Sequence, residues 1–158
     1  MTLLFSLLAF LALLGSGLMA GLFFAFSNSV MASLARLPAP QGAVAMNTIN
    51  VVIQNPLFLL VFMGTALLCA VLAAKAVLGW GESGAFWLLA GSLLYLVGIF
   101  AATIIFNVPL NDALAAVDAS GVEGTAMWSR YLAEWLPWNH VRTLAGTAAL
   151  ACFALALR

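Results

Sequence analysis

The sequence predicts an all-α fold: a four-helix transmembrane bundle whose helical extensions form a polar lobe on one side of the membrane. Three observations carry this expectation. Hydrophobic residues make up 66% of the 158 positions and charged ones only 6%, where a soluble domain carries roughly a quarter charged residues, so lipid has to solvate the outer face. The few charges leave four uncharged blocks: before Arg36, between Arg36 and Lys75, between Glu82 and Asp112, and between Arg142 and Arg158. The uncharged polar residues gather at one end of the helices that these blocks would form.

A bilayer core needs ~20 helical residues at ~1.5 Å each. The first crossing is expected over residues 3–26. No Lys or Arg precedes it and the apolar run is too long for a signal-peptide core, so it reads as a retained helix. Its surplus would run on toward Leu37, turn at Pro38 to Gly42, and return as a helix from about Ala43 with a kink at Pro56. The second crossing is expected over 55–74 and the third over 85–106, joined by the turn Gly79 to Gly84. Between Pro109 and Pro137 the pattern predicts two short helices, Asp112 to Val117 and Glu123 to Trp135, joined at Asp118 to Gly121. The fourth crossing takes 138–157, so residues 1–158 form a single domain with both termini on one side. Gly17 and Gly21 form a Gly-x-x-x-Gly pair, a signal for close helix approach.

The polar groups then fall on the opposite side. Asn28 closes the first crossing; Asn47, Asn50, Gln54 and Asn55 precede the second; Asn107 and Asn111 close the third; Trp135, Trp138, Asn139, His140 and Arg142 open the fourth. Asn47, Asn50 and Gln54 share one helix face, as do Thr103, Asn107 and Asn111, and Trp135, Asn139 and Arg142 share a third if the helix continues through Pro137. Only 15 uncharged residues separate Arg142 from Arg158, so Arg142 lies at or inside the membrane boundary, where an ionisable group is costly and reads as functional. The bland alternative is that it snorkels or pairs with Glu134 or Asp112. Asn139 alone would be an N-cap, and the aromatics alone an interfacial belt. Their convergence suits a flat, apolar aromatic ligand with one or two oxygens.

Several classes are disfavoured. Zero net charge and five scattered basic residues give no track for nucleic acid. Cys69 and Cys152 stand alone in apolar stretches and read as buried hydrophobes. The single histidine, His140, cannot build a zinc site and leaves only one axial ligand for haem; a general base needs only one such residue, and a histidine hydrogen-bonded at a helix start is the bland alternative. There is no dinucleotide loop and no metal-ligand cluster, and nothing specifies an oligomeric state.

The run Gly21-Leu-Phe-Phe-Ala-Phe-Ser-Asn-Ser-Val-Met31, with Ala35-Arg-Leu-Pro38, Ala45-Met-Asn-Thr-Ile-Asn50, Asn55-Pro56 and Trp138-Asn-His-Val-Arg142, resembles the anthrone oxygenase-like family of small membrane proteins. The resemblance implies a monooxygenase that needs no metal or flavin and converts an anthrone-like polycyclic phenol to the quinone. On that reading His140 is the base, Arg142 with Asn139, Asn50 or Asn55 stabilises the developing oxyanion, and Phe24 and Trp138 form walls. Its setting would be a bacterial inner membrane, with Lys75 and Arg158 marking the terminal side as cytoplasmic. The competing expectations are a non-catalytic protein binding a lipid, quinone or haem in the same pocket, and a purely structural subunit.

Overall fold

The computed structural model describes residues 2–158. Among these there is no strand, and five helices follow in order: α1 (Leu3–Leu34), α2 (Ala39–Val52), α3 (Pro56–Leu78), α4 (Ala85–Ala115) and α5 (Val122–Ala156). α1, α3 and α4 are long and apolar enough to cross a membrane. α5 is the longest, at 35 residues, but Asn139, His140 and Arg142 dilute the apolar run of its second half.

α1 packs against α3 and α5, and α4 packs against the same two. Small residues set these approaches. A Cβ on Gly146 of α5 would meet the Ala20 Cβ of α1 and the Ile99 Cδ1 of α4, each at 3.0 Å, and a Cβ on Gly15 would collide with the Thr65 side chain of α3. The Gly-x-x-x-Gly expectation holds for one member: a Cβ on Gly17 would meet the Leu150 Cδ1 of α5 at 2.7 Å, whereas Gly21 has nothing near its missing Cβ, and Gly15 and Gly146 mark further close contacts. One buried core joins α1, α3, α4 and the second half of α5, through Phe62, Leu72, Tyr95, Ile99 and Phe153. A second core, with Met31, Met46, Leu114, Trp128 and Tyr131, seats α2 on the first half of α5 and the end of α4.

The ends of the elements differ from expectation for reasons of backbone chemistry. The turn after α1 lies at residues 35–38, and α2 starts at Ala39, because Pro38 occupies its N-cap and Pro40 its first turn, where a missing N–H costs nothing. The expected kink at Pro56 is a full break. Asn55 caps α3 by accepting from the Phe58 N–H at 3.0 Å, with Pro56 at the first helical position. The expected separate helix from Asp112 is the end of α4, and the expected helix from Glu123 is the start of α5, which continues through Pro137. α4 passes Pro109, which cannot donate to the residue four back, by widening into a π-turn at Thr103–Asn107. Replacing Asn55 by Ala should cost about 1 kcal/mol of stability through the lost cap, measurable as a lowered thermal midpoint in detergent.

At the opposite end, Lys75 Nζ donates to Glu82 Oε1 at 2.6 Å across the α3–α4 turn, and this contact holds the Glu82 carboxyl below its ordinary range. Gly84 supplies the left-handed φ of 84° from which α4 begins.

Candidate functional site

A cavity of about 370 Å³ lies between the two cores. Its walls come from α1 (Leu22, Phe23, Phe26), α2 (Met46, Ile49, Asn50), α3 (Phe58, Leu59, Phe62, Met63), α4 (Phe100, Thr103, Ile104, Val108, Asn111, Asp112) and α5 (Trp135, Arg142), with Ile53 and Gln54 from the α2–α3 connection. Most of this lining is apolar, with a few convergent polar groups, the composition expected of a small-molecule site. Three π-turns, at Phe26–Val30, Leu96–Ala101 and Thr103–Asn107, each place a residue on the wall: Phe26, Phe100 and Thr103. π-turns re-aim side chains within a helix and recur at functional sites.

Arg142 is the chemical centre of this lining. It is 4% exposed, with its guanidinium carbon 4.2 Å from the Phe23 ring centroid and 4.9 Å from that of Trp135. Its Nη2 donates to Asn139 Oδ1 at 2.8 Å and its Nη1 to Thr103 Oγ1 at 3.3 Å, while Nε–H has no partner. No carboxylate pairs with it. Glu134 is taken by Arg130 at 3.0 Å, so neither pairing considered from the sequence forms. Cation–π contact with two rings recovers ~1–2 kcal/mol each at best, less than the several kcal/mol that desolvating an ion costs.

Asn139 holds this cation in place. It is fully buried, and its Nδ2 donates to the Phe23 carbonyl and to Ser27 Oγ, both at 2.8 Å. Its oxygen faces Arg142 and it does not line the cavity, so its contact is with the guanidinium. Asn111 is similarly fixed: Oδ1 accepts from Tyr131 OH at 2.7 Å, behind the wall, and from Trp135 Nε1 at 2.9 Å, which orients the Trp135 ring along the wall. Asn50 Nδ2 is buried without a partner.

The structure therefore divides the residues singled out from the sequence. Asn50, Gln54, Asn111, Trp135 and Arg142 line the cavity. Asn47, Asn107 and Asn139 stand behind it, with Asn47 donating to the Leu114 carbonyl and Asn107 to that of Trp135. Phe24, Asn28 and His140 lie together elsewhere, in an open depression on the α1–α5 surface. His140 Nδ1 contacts Ser27 Oγ at 2.8 Å and the ring is exposed, so its placement as a base within the cavity is corrected: the α-helical phase turns residue 140 away from 139 and 142. Asn55 is spent on its cap, and Trp138 stacks on Phe106 outside the cavity with centroids 3.5 Å apart. Thr103, Phe23 and Asp112 are wall residues that were not assigned a role. Thr103 left a signal as the first member of the Thr103, Asn107, Asn111 face, and Asp112 as a pairing considered for Arg142.

Among the described residues no three His, Cys, Asp or Glu side chains come together. A haem would find only the Met46 and Met63 thioethers on the cavity wall.

These features define an all-α protein with three helices long and apolar enough to cross a membrane and a mostly apolar site built around an arginine without an ion-pair partner among the described residues. The chain belongs to the anthrone oxygenase family, which matches residues 58–152. That match runs from α3 into the second half of α5, so of the motifs that carry the resemblance in the sequence only Trp138 to Arg142 lies inside it. No curated protein and no solved structure matches the chain.

Proposed function

We propose that the chain is a cofactor-independent oxygenase acting on an anthrone-like, enolisable polycyclic phenol bound in the cavity. The observation that carries this reading is Arg142: a buried guanidinium that lines a mostly apolar, aromatic-lined cavity and forms no ion pair among the described residues. A substrate that becomes an oxyanion as it reacts supplies the missing charge at the moment of reaction, the condition under which a fixed donor accelerates chemistry. The substrate methylene gives up a proton, which we assign to Asp112, the one carboxylate on the wall. The resulting enolate rests its oxygen on Arg142 and passes one electron to O2. Recombination of the radical with superoxide forms the new C–O bond, Asp112 returns the proton, and the hydroperoxide loses water to leave the second carbonyl. One oxygen atom ends in the quinone and the other in water.

The same reading gives α5 a fourth crossing over about 138–157, completing a four-helix bundle. α2, the end of α4 and the first half of α5 then form the polar lobe beyond the membrane, and the termini lie on the cytoplasmic side of a bacterial inner membrane. A second reading, a non-catalytic binder of a lipid or quinone, draws support from the exposure of Asp112 at the rim rather than at the cavity floor.

Aerobic oxidation of anthrone by the detergent-purified protein, followed by quinone absorbance, separates the two. Oxidation above the protein-free rate is expected, and an inert protein that still binds the quinone would favour the binder. Loss of a true general base costs ~10²–10⁴-fold, so His140→Ala, outside the cavity, is expected to stay within a few-fold of wild type.

A further inference from the structure

Four apolar wall residues are at once part of the cavity lining and open to the exterior: Leu59 (42% exposed), Met63 (51%), Ile104 (50%) and Val108 (39%). A side chain with both properties stands at the mouth. Leu59 and Met63 are four apart on α3, and Ile104 and Val108 are four apart on α4, so each pair lies one above the other along its helix. The mouth is therefore a slot about one helical pitch tall, ~5.4 Å, between two membrane-crossing helices. α3 packs on α4 over Ala85–Ala101 but scarcely beyond it, and the slot lies where the two helices part. Both edges belong to stretches that carry no charge, within helices apolar enough to span a bilayer. Gln54 and Asp112, exposed members of the same lining, close its polar end. Phe58, Phe62 and Phe100 continue the path inward, with successive ring centroids 5.5 and 5.4 Å apart.

We propose that the cavity is loaded sideways from the hydrocarbon layer, through the slot between α3 and α4, by a neutral ring compound dissolved in the bilayer. This rests on the reading that the cavity holds an apolar, oxygen-bearing aromatic molecule. The route fits that chemistry. A polycyclic phenol partitions into lipid, passes edge-on between Met63 and Ile104, slides along the phenylalanine faces, and meets the guanidinium with its oxygen end. It is uncharged during passage and acquires charge only at Arg142, so no ion crosses the apolar slot. Met63 and Ile104 then set which ring widths are admitted.

The test is kinetic, since equilibrium occupancy is the same whichever way a ligand arrives. Wild type, Met63→Trp and Ile104→Trp are placed in lipid nanodiscs and mixed with 1,8-dihydroxyanthraquinone, a non-reacting product analogue, with binding followed by stopped-flow quenching of tryptophan emission. Association and dissociation should both slow by about tenfold or more in either variant while Kd moves by less than about twofold. Leu60→Trp and Val97→Trp, exposed on the same helices but off the lining, should behave as wild type. Unchanged rates in both mouth variants, with binding intact, would overturn the lateral route and leave the cavity reading standing. Absence of binding to wild type would overturn both.

Discussion

Replacing Arg142 by Met is expected to lower anthrone oxidation by about 10²–10³-fold, the usual loss when an oxyanion donor is removed, while thermal stability holds or rises. The two effects have one origin. Arg142 is buried without a carboxylate, held by Asn139, Thr103 and two aromatic faces, so the resting protein carries an under-compensated charge. Hydrophobic replacement of buried ions is often neutral or stabilising by ~1–4 kcal/mol. Met is unbranched and apolar, follows the path of the arginine stem, and packs against Phe23 and Trp135. Turnover and melting temperature, measured on the same preparation, should thus move in opposite directions. A variant that melts early and is inactive only for that reason would make Arg142 a structural residue and remove the basis of the oxygenase reading.

Asn139→Leu should be the most destabilising single change near the site, by about 3 kcal/mol, because it removes three buried hydrogen bonds at once. The Phe23 carbonyl loses its side-chain donor, Ser27 Oγ loses another, and Arg142 loses its closest acceptor. In a chain of this size each kcal/mol moves the thermal midpoint by ~2–4 °C, so a fall of about 6–12 °C is anticipated. The loss should shrink in the Arg142→Met background, since one of the stranded groups is then gone. A double-mutant cycle with a coupling of ~0.5–3 kcal/mol would place the two residues in one network; strict additivity would mean that Asn139 acts only on α1.

The helices were legible in the sequence because lipid is a stringent solvent. Every backbone group in the hydrocarbon layer has to be satisfied within its own helix, and the blocks free of charge between Arg36, Lys75, Glu82 and Asp112 mark where α1, α3 and α4 run. Helix ends were less legible. Pro38, Pro56, Pro109 and Pro137 look alike in a sequence, yet Pro38 and Pro56 sit at helix starts, Pro109 is passed by a π-turn and Pro137 lies inside α5. What separates them is the tertiary packing on each side, above all the second core that pins α2 and the first half of α5 together.

The site shows the same division. Residue spacing placed Trp135, Asn139 and Arg142 on one face of α5, and all three are buried there. The sequence also located Arg142 in the apolar zone. It could not rank His140 against Arg142, because adjacent residues on one helix turn differ by about 100° in direction. Only the neighbour that covers each direction decides which faces a cavity. For Arg142 those neighbours are α4 and the first helix's Phe23; for His140 it is the open α1–α5 surface. Composition and spacing thus determined that this chain carries helices long and apolar enough to cross a membrane. Tertiary structure alone decided that a few of the polar groups converge on a mostly apolar cavity of about 370 Å³, because a cavity exists only where the π-turns and the Asn55 break keep helices from closing on one another.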